Sequence, residues 1–297
     1  MSASSVQVVG FASRPSIYYT LAKPDVTFLV VLTTFGGYCL GSASPLNWMR
    51  LLNAVIGTML VGIGTAALNQ YVERDADARM RRTANRPLPL GRITPVEVLR
   101  FGVATIGAGG IYLAVFTNLL ACAIALSTTI LYLGVYTPLK KRTTMATAIG
   151  AIPGALPPLI GWAAAAGKLS AGAWILFGVL FLWQFPHFFA IAWMYREDYS
   201  RAGIQMLPVV DPSGDSTFRQ IIGAAALLIP VSVLPSALGF AGPGYFFAAV
   251  VIGMVLLQVC LWAGRSRTNT RARWLMHATV IHIPVLMGWM IFDKFTR

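Results

Sequence analysis

Asn69, Glu73 and Asp77 are spaced i, i+4 and i+8, so a helix running through them stacks three oxygen-bearing side chains on one face. Such a row repels itself unless a cation sits among its members. Hard oxygen donors of this kind suit Mg2+, which keeps several waters and is shared between carboxylates and substrate phosphates. Arg79, Arg81, Arg82 and Arg86 follow at once, and Pro87 and Pro89 stiffen the loop behind them. Acids beside arginines are what a metal-bound diphosphate requires: the metal bridges carboxylate and phosphate while guanidinium forks take the remaining oxygens. The same acids would equally serve as a solvated helix end paired with local arginines, and spacing alone leaves both readings open. A second mixture, Arg196, Glu197, Asp198 and Arg201, ends another apolar run, and Lys140, Lys141 and Arg142 end a third. These lysines either add charge to the same site or simply set topology. Two acid-and-arginine mixtures at corresponding ends of apolar segments look like two walls of one site. Asp211 and Asp215 lie in a Pro/Gly/Ser stretch and read as turn residues.

The elements carrying these walls must be membrane-spanning helices. Of 297 residues, 57% are hydrophobic and 11% charged, where a soluble domain carries about 25% charged residues. A spanning helix needs about 20 mostly apolar residues. Nine segments qualify, at 26–39, 50–71, 99–116, 119–136, 145–166, 171–195, 220–240, 243–264 and 274–292. The expectation is an all-α polytopic membrane protein, one integral membrane domain over 1–297 with a flexible N-terminal segment at 1–22. A net charge of +13 would suggest nucleic acid in a soluble chain, but here it reports orientation, and no nucleic-acid partner is expected. Nineteen of the 23 Lys and Arg fall on the side of the N-terminus, leaving only Arg50, Lys168, Lys294 and Arg297 opposite. That bias puts the N-terminus and both acidic loops in the cytoplasm. The two acidic loops follow the second and sixth spans, so two parallel four-helix repeats plus a ninth helix would account for them. Cys39, Cys122 and Cys260 sit in apolar runs without C-x-x-C spacing and read as packing residues. No secretory leader is expected, and a single arginine before residue 23 disfavours a mitochondrial transit peptide, so the cell inner membrane is favoured.

Two spans carry irregularities. The fifth contains Pro153, Gly154, Pro157, Pro158 and Gly161, a density that should break its helix where a cavity or protein receives the freed backbone. The sixth carries Trp183, Gln184, Phe185, Pro186 and His187. An imidazole at that depth reads as a residue facing a cavity, or as a buried side chain satisfied by a neighbour. His277 and His282 read as structural.

With these residues in place, the chain resembles the UbiA superfamily of intramembrane prenyltransferases and, within it, the protohaem IX farnesyltransferase branch. The resemblance runs from Lys23-Pro24 to the last helix. It rests on Asn69-x-Tyr71-x-Glu73-x-Asp75-x-Asp77, Arg82-Thr83-x-Asn85-Arg86-Pro87, Tyr136-Thr137-Pro138-Leu139-Lys140, Gly154 to Trp162, Trp183-x-x-Pro186-His187, and Arg196-Glu197-Asp198-Tyr199. It implies a UbiA-like bundle in which a farnesyl group passes from farnesyl diphosphate to a vinyl group of haem b. Water then completes haem O, and diphosphate is released. It further implies Mg2+ held by Asn69, Glu73, Asp77 and Asp198, with Glu197 adding acidity, and diphosphate bound by Arg82, Arg86, Lys140, Lys141 and Arg201. The implied acceptor pocket holds His187, Trp183, Gln184 and Tyr136, with His187 contacting haem or accepting a proton. The implied partners are farnesyl diphosphate, haem b, the lipid bilayer and a downstream haem A synthase. Two departures stand out. Glu73 occupies a place that is most often Asp, and Tyr195 and Tyr199 stand where the wider superfamily has D-x-x-x-D, which puts a second Mg2+ ligand set in doubt. A prenyltransferase for another acceptor, such as a quinone precursor, and a membrane transporter using the acids as a cation path are the alternatives.

Overall fold

A computed structural model describes residues 13–43 and 45–297, and among these the chain is built of helices joined by loops, with no strand. The elements are α1 Arg14–Ala22, α2 Pro24–Gly41, α3 Trp48–Asp77, α4 Pro95–Phe116 and α5 Leu119–Ile130. A π-helical segment, Leu131–Tyr136, continues α5 into the short α6, Thr137–Leu139. There follow α7 Ala146–Gly154, α8 Pro157–Ala166, α9 Ala171–Met194, α10 Arg196–Arg201, α11 Leu207–Val210, α12 Asp215–Ala237, α13 Pro243–Ser266 and α14 Asn269–Thr296. Among the described residues nine spans are long and apolar enough to cross a membrane: α2, α3, α4, α5 to α6, α7 to α8, α9, α12, α13 and α14. The chain is thus a multi-pass membrane protein.

The N-terminal segment differs from expectation. Residues 1–12 lie outside the described residues, but Arg14–Ala22 is a helix, not a flexible stretch. Ile17 and Leu21 are buried in a cluster with Ala67, Leu88 and Val98, and the Gln70 amide donates to the Leu21 carbonyl at 3.0 Å. Burial of two apolar residues and a cross-helix hydrogen bond fix α1 against α3.

Helix ends are marked by side chains that satisfy orphan backbone donors. Thr94 and Glu97 form a capping box at the start of α4, and Asn118 caps α5 while donating to the Ala163 carbonyl of α8 at 2.8 Å. The fifth span breaks at Ala155 and Leu156, as its prolines demand. Beside the break, Gln184 of α9 donates from Nε2 to Ala151 O of α7 at 3.0 Å and to Leu180 O of its own helix at 3.1 Å, and Thr34 of α2 donates to Pro157 O of α8 at 3.2 Å.

The expected repeat is visible in the packing. The span α7 to α8 closes the first unit by packing on α3 and α5; α14 closes the second on α9 and α13, the corresponding helices. The halves join where α2 lies along α8 and touches α14. That approach requires small residues. Gly37 lies on the backbone of Pro158, and Gly161 on Thr34 O and Tyr38 N, so an added Cβ at either position would collide with backbone that cannot move aside. Replacing Gly161 by Leu should therefore destabilise the bundle by about 1–3 kcal/mol, read as a lowered unfolding temperature in detergent. An unchanged midpoint would contradict this packing.

Candidate active site

Because α3 continues to Asp77, Asn69, Glu73 and Asp77 do stack on one face, and all three are buried. Each meets a cation from a different segment. Lys23 Nζ, at the start of α2, donates to Asn69 Oδ1 at 2.8 Å; Lys140, after α6, pairs with Glu73; Arg86, in the loop after α3, donates to Asp77 Oδ2 at 2.6 Å. Lys23 was not singled out from sequence, where only the Lys-Pro pair before the first span marks it. Its backbone is left-handed (φ 45°), which turns the chain sharply from α1 into α2. Its ammonium is held down at about 7, chiefly by burial and then by Arg86, with Glu73 and Asp77 opposing the shift.

The donor set suits a hard cation. Asp77 Oδ1 is buried without a protein partner, so an oxygen in the row remains for something else. Among the described residues no three His, Cys, Asp or Glu side chains gather around one point. Two carboxylates and an amide would leave a divalent ion to complete its shell with substrate oxygens and water.

The second wall meets the first. Asp198 is buried and accepts the backbone N–H of Arg81 at 3.3 Å and of Arg82 at 3.2 Å, while pairing with the Arg201 guanidinium. The same loop is closed by Thr83 Oγ1, which donates to Asp77 O at 2.9 Å. Arg82 lies over the rings of Tyr195 and Tyr199, at 4.9 and 6.0 Å from their centroids. Burial raises the Tyr199 phenol above its ordinary range, with Arg82 opposing. Glu197 and Lys141 are exposed.

Behind the polar cluster lies an apolar cavity of about 270 Å³, with Lys23 at its polar end and Val30, Val61, Ile160 and Phe188 in its walls. Tyr132 and Tyr136 also line it, their ring centroids 5.2 Å apart, and Lys140 sits over the Tyr136 ring at 5.4 Å. The π-helical segment that presents both tyrosines was not foreseen. Pro138 has no N–H to offer the preceding turn, and Thr137 instead bonds Tyr132 O with both its N–H and, at 2.8 Å, its hydroxyl, widening the helix.

Of the four expected acceptor-pocket residues, the structure brings only Tyr136 to this cavity. Gln184 is committed to the helix break. Trp183 and His187, one turn apart on α9, face α14 instead. Trp183 Nε1 donates to Thr279 O at 2.7 Å, His187 Nδ1 lies 2.9 Å from Thr279 Oγ1, and the two rings stack at 5.0 Å.

The buried pair of Lys140 and Glu73 yields a stability test. Changing Lys140 to Met strands a buried carboxylate and should cost about 3–5 kcal/mol, whereas adding Glu73→Gln should recover most of that loss in a double-mutant cycle followed by thermal unfolding.

The profile of the UbiA prenyltransferase family matches residues 30–282. A protoheme IX farnesyltransferase of Solibacter usitatus (strain Ellin6076) is 48% identical over 286 residues, covering 93% of this chain and 98% of the relative. Among solved structures, a digeranylgeranylglyceryl phosphate synthase superposes with a TM-score of 0.78 at 18% identity, covering 95% of this chain and 99% of that one. A UbiA homologue from Archaeoglobus fulgidus bound to GPP and Mg2+ gives 0.64 at 14% identity, covering 93% and 99%. By profile, by identity along nearly its whole length and by fold, the chain belongs to the UbiA prenyltransferase family.

Proposed function

We propose that this chain transfers a farnesyl group from farnesyl diphosphate to a vinyl group of haem b, with Mg2+ and water, giving haem O and diphosphate. One observation carries the reading: a row of three oxygen donors, each faced by a separate cation, adjoins an apolar cavity through Lys23, which lines the cavity and bonds Asn69. A diphosphate with a long apolar tail has that division. The relatives named protoheme IX farnesyltransferase support the acceptor, and the Archaeoglobus fulgidus neighbour bound to GPP and Mg2+ supports the metal.

Asn69, Glu73 and Asp77 would hold Mg2+, which when bound neutralises charge developing on the leaving diphosphate. Lys23, Lys140 and Arg86, freed from the row, take phosphate oxygens, and Arg82 adds its guanidinium from the second wall. The tail lies in the cavity, where its walls exclude water from the allylic cation left by carbon–oxygen cleavage. Tyr132 and Tyr136 offer ring faces to that cation. The electron-rich vinyl group attacks it, and water captures the resulting haem-side cation.

The contacts of Thr279 favour one tautomer of His187. With the hydroxyl donating to Met276 O at 2.6 Å, Thr279 Oγ1 is assigned as the acceptor of His187 Nδ1–H. Nε2 therefore keeps its lone pair, available to a proton on the haem side or to the iron. The loop charge bias supports a cytoplasmic N-terminus and a site on that side of the membrane, which we take to be the cell inner membrane, and the product would pass to a haem A synthase.

Incubating purified protein with farnesyl diphosphate, Mg2+ and haem b should yield a heavier, more hydrophobic haem by mass spectrometry, and omitting Mg2+ should prevent it. A prenylated product with some other acceptor but none with haem would move the chain to another branch. Asp77→Ala should lower haem O formation in isolated membranes by at least about 100-fold without loss of the folded protein; full activity would sink the diphosphate site. Thr279→Val should impair turnover and alter the absorption spectrum of bound haem b, while Thr279→Ser keeps both.

A further inference from the structure

Arg82, which is exposed, is held unlike the four cations that pair with the buried oxygens. Lys23, Lys140, Arg86 and Arg201 each bond a side-chain oxygen of Asn69, Glu73, Asp77 or Asp198, but among the described residues no hydrogen bond or ion pair engages the Arg82 guanidinium. Its position is nevertheless fixed. The backbone N–H is tied to Asp198 at 3.2 Å, the next residue, Thr83, is tied to Asp77, and the side chain lies over the rings of Tyr195 and Tyr199. Ring faces hold a guanidinium while leaving its five donors in the fork plane unspent. An arginine so placed lacks only an oxyanion. A second cavity, of about 380 Å³, opens beside it, lined also by Tyr195, Glu197 and Asp198.

The second wall also lacks what a metal ion needs. Its buried carboxylate, Asp198, already takes two backbone donors and the Arg201 guanidinium, and Glu197 is exposed. The two positions where a second acidic pair was expected are the tyrosines that cradle Arg82. Only the α3 row therefore fits a divalent cation.

We infer that this active site works with one divalent cation, held by the α3 row, and that Arg82, cradled by Tyr195 and Tyr199 and anchored through Asp198, supplies the second positive charge on the diphosphate. Asp198 is then a positioning residue, acting through the loop that carries Arg82. The inference rests on the diphosphate reading above.

The test uses the full-length protein in nanodiscs, Mn2+ as an EPR-visible substitute for Mg2+, and a farnesyl thiodiphosphate analogue that resists cleavage. One Mn2+ should bind per chain in the presence of the analogue; two per chain would overturn the inference. Arg82→Gln should weaken the analogue roughly 10- to 100-fold, the loss expected for a charge-assisted hydrogen bond, with one Mn2+ still bound at saturation. Unchanged affinity would overturn it. If Arg82→Gln does not fold, Tyr195→Leu keeps the charge and removes one ring; a several-fold weakening supports the assignment and an unchanged constant refutes it. A parent protein that binds neither Mn2+ nor the analogue removes the diphosphate reading itself, whereas tight binding with two Mn2+ removes only the single-metal assignment.

Discussion

A charge withdrawn from water must find a partner, and that constraint organises the end of this bundle where the acidic loops meet. Two buried carboxylates and an amide on α3 draw cations from three places in the chain: Lys23 before the first span, Arg86 in the loop after the second and Lys140 after the fourth. Each is far from the others in sequence, so the cluster exists only when the spans are assembled. An unpaired buried charge costs several kcal/mol, so the pairs hold Lys23, Lys140 and Arg86 against the row. On the proposed reading, a metal-bound diphosphate would enter by an exchange of partners, in which no charge need pass through an unpaired state.

The apolar half of the site arises from a second constraint, that freed backbone groups in hydrocarbon must be satisfied internally. The two irregular stretches, the π-helical segment and the break between α7 and α8, face one another across the cavity, which Tyr132, Tyr136, Pro153, Gly154 and Pro157 all line. Regular helices packed ridge into groove would leave no such space. The prolines that weaken the fifth span locally thus open the volume, while Gln184 and Thr34 tie the two broken pieces to α9 and α2.

Much of this was legible in the sequence because it depends on period and charge. Span length, the i, i+4, i+8 row and the proline cluster are properties of short segments, and each reappears in the structure. What escaped reading depends on which helix lies opposite. His187 and Trp183 share a face of α9, but only the position of α14 decides that they meet Thr279 and not the cavity. Lys23 carries no motif of its own until Asn69 is beside it. Asp198 looked like a free ligand until the amides of Arg81 and Arg82 were seen to occupy it. The helix at Arg14–Ala22 was hidden because its partners, Ala67, Leu88 and Val98, come from two later elements and the loop between them.

The brace across the fifth span links two positions beyond the energy it contributes. The Gln184 amide lies where a Cβ on residue 154 would sit, so the glycine is required by the glutamine and the glutamine by the break that the glycine accompanies. A side chain at 154 would collide with that amide unless Gln184 turned away or were itself replaced. Across sequences sharing this fold, a residue larger than glycine at 154 should therefore appear with a shorter side chain or a different rotamer at 184, so that two sites thirty residues apart constrain one another.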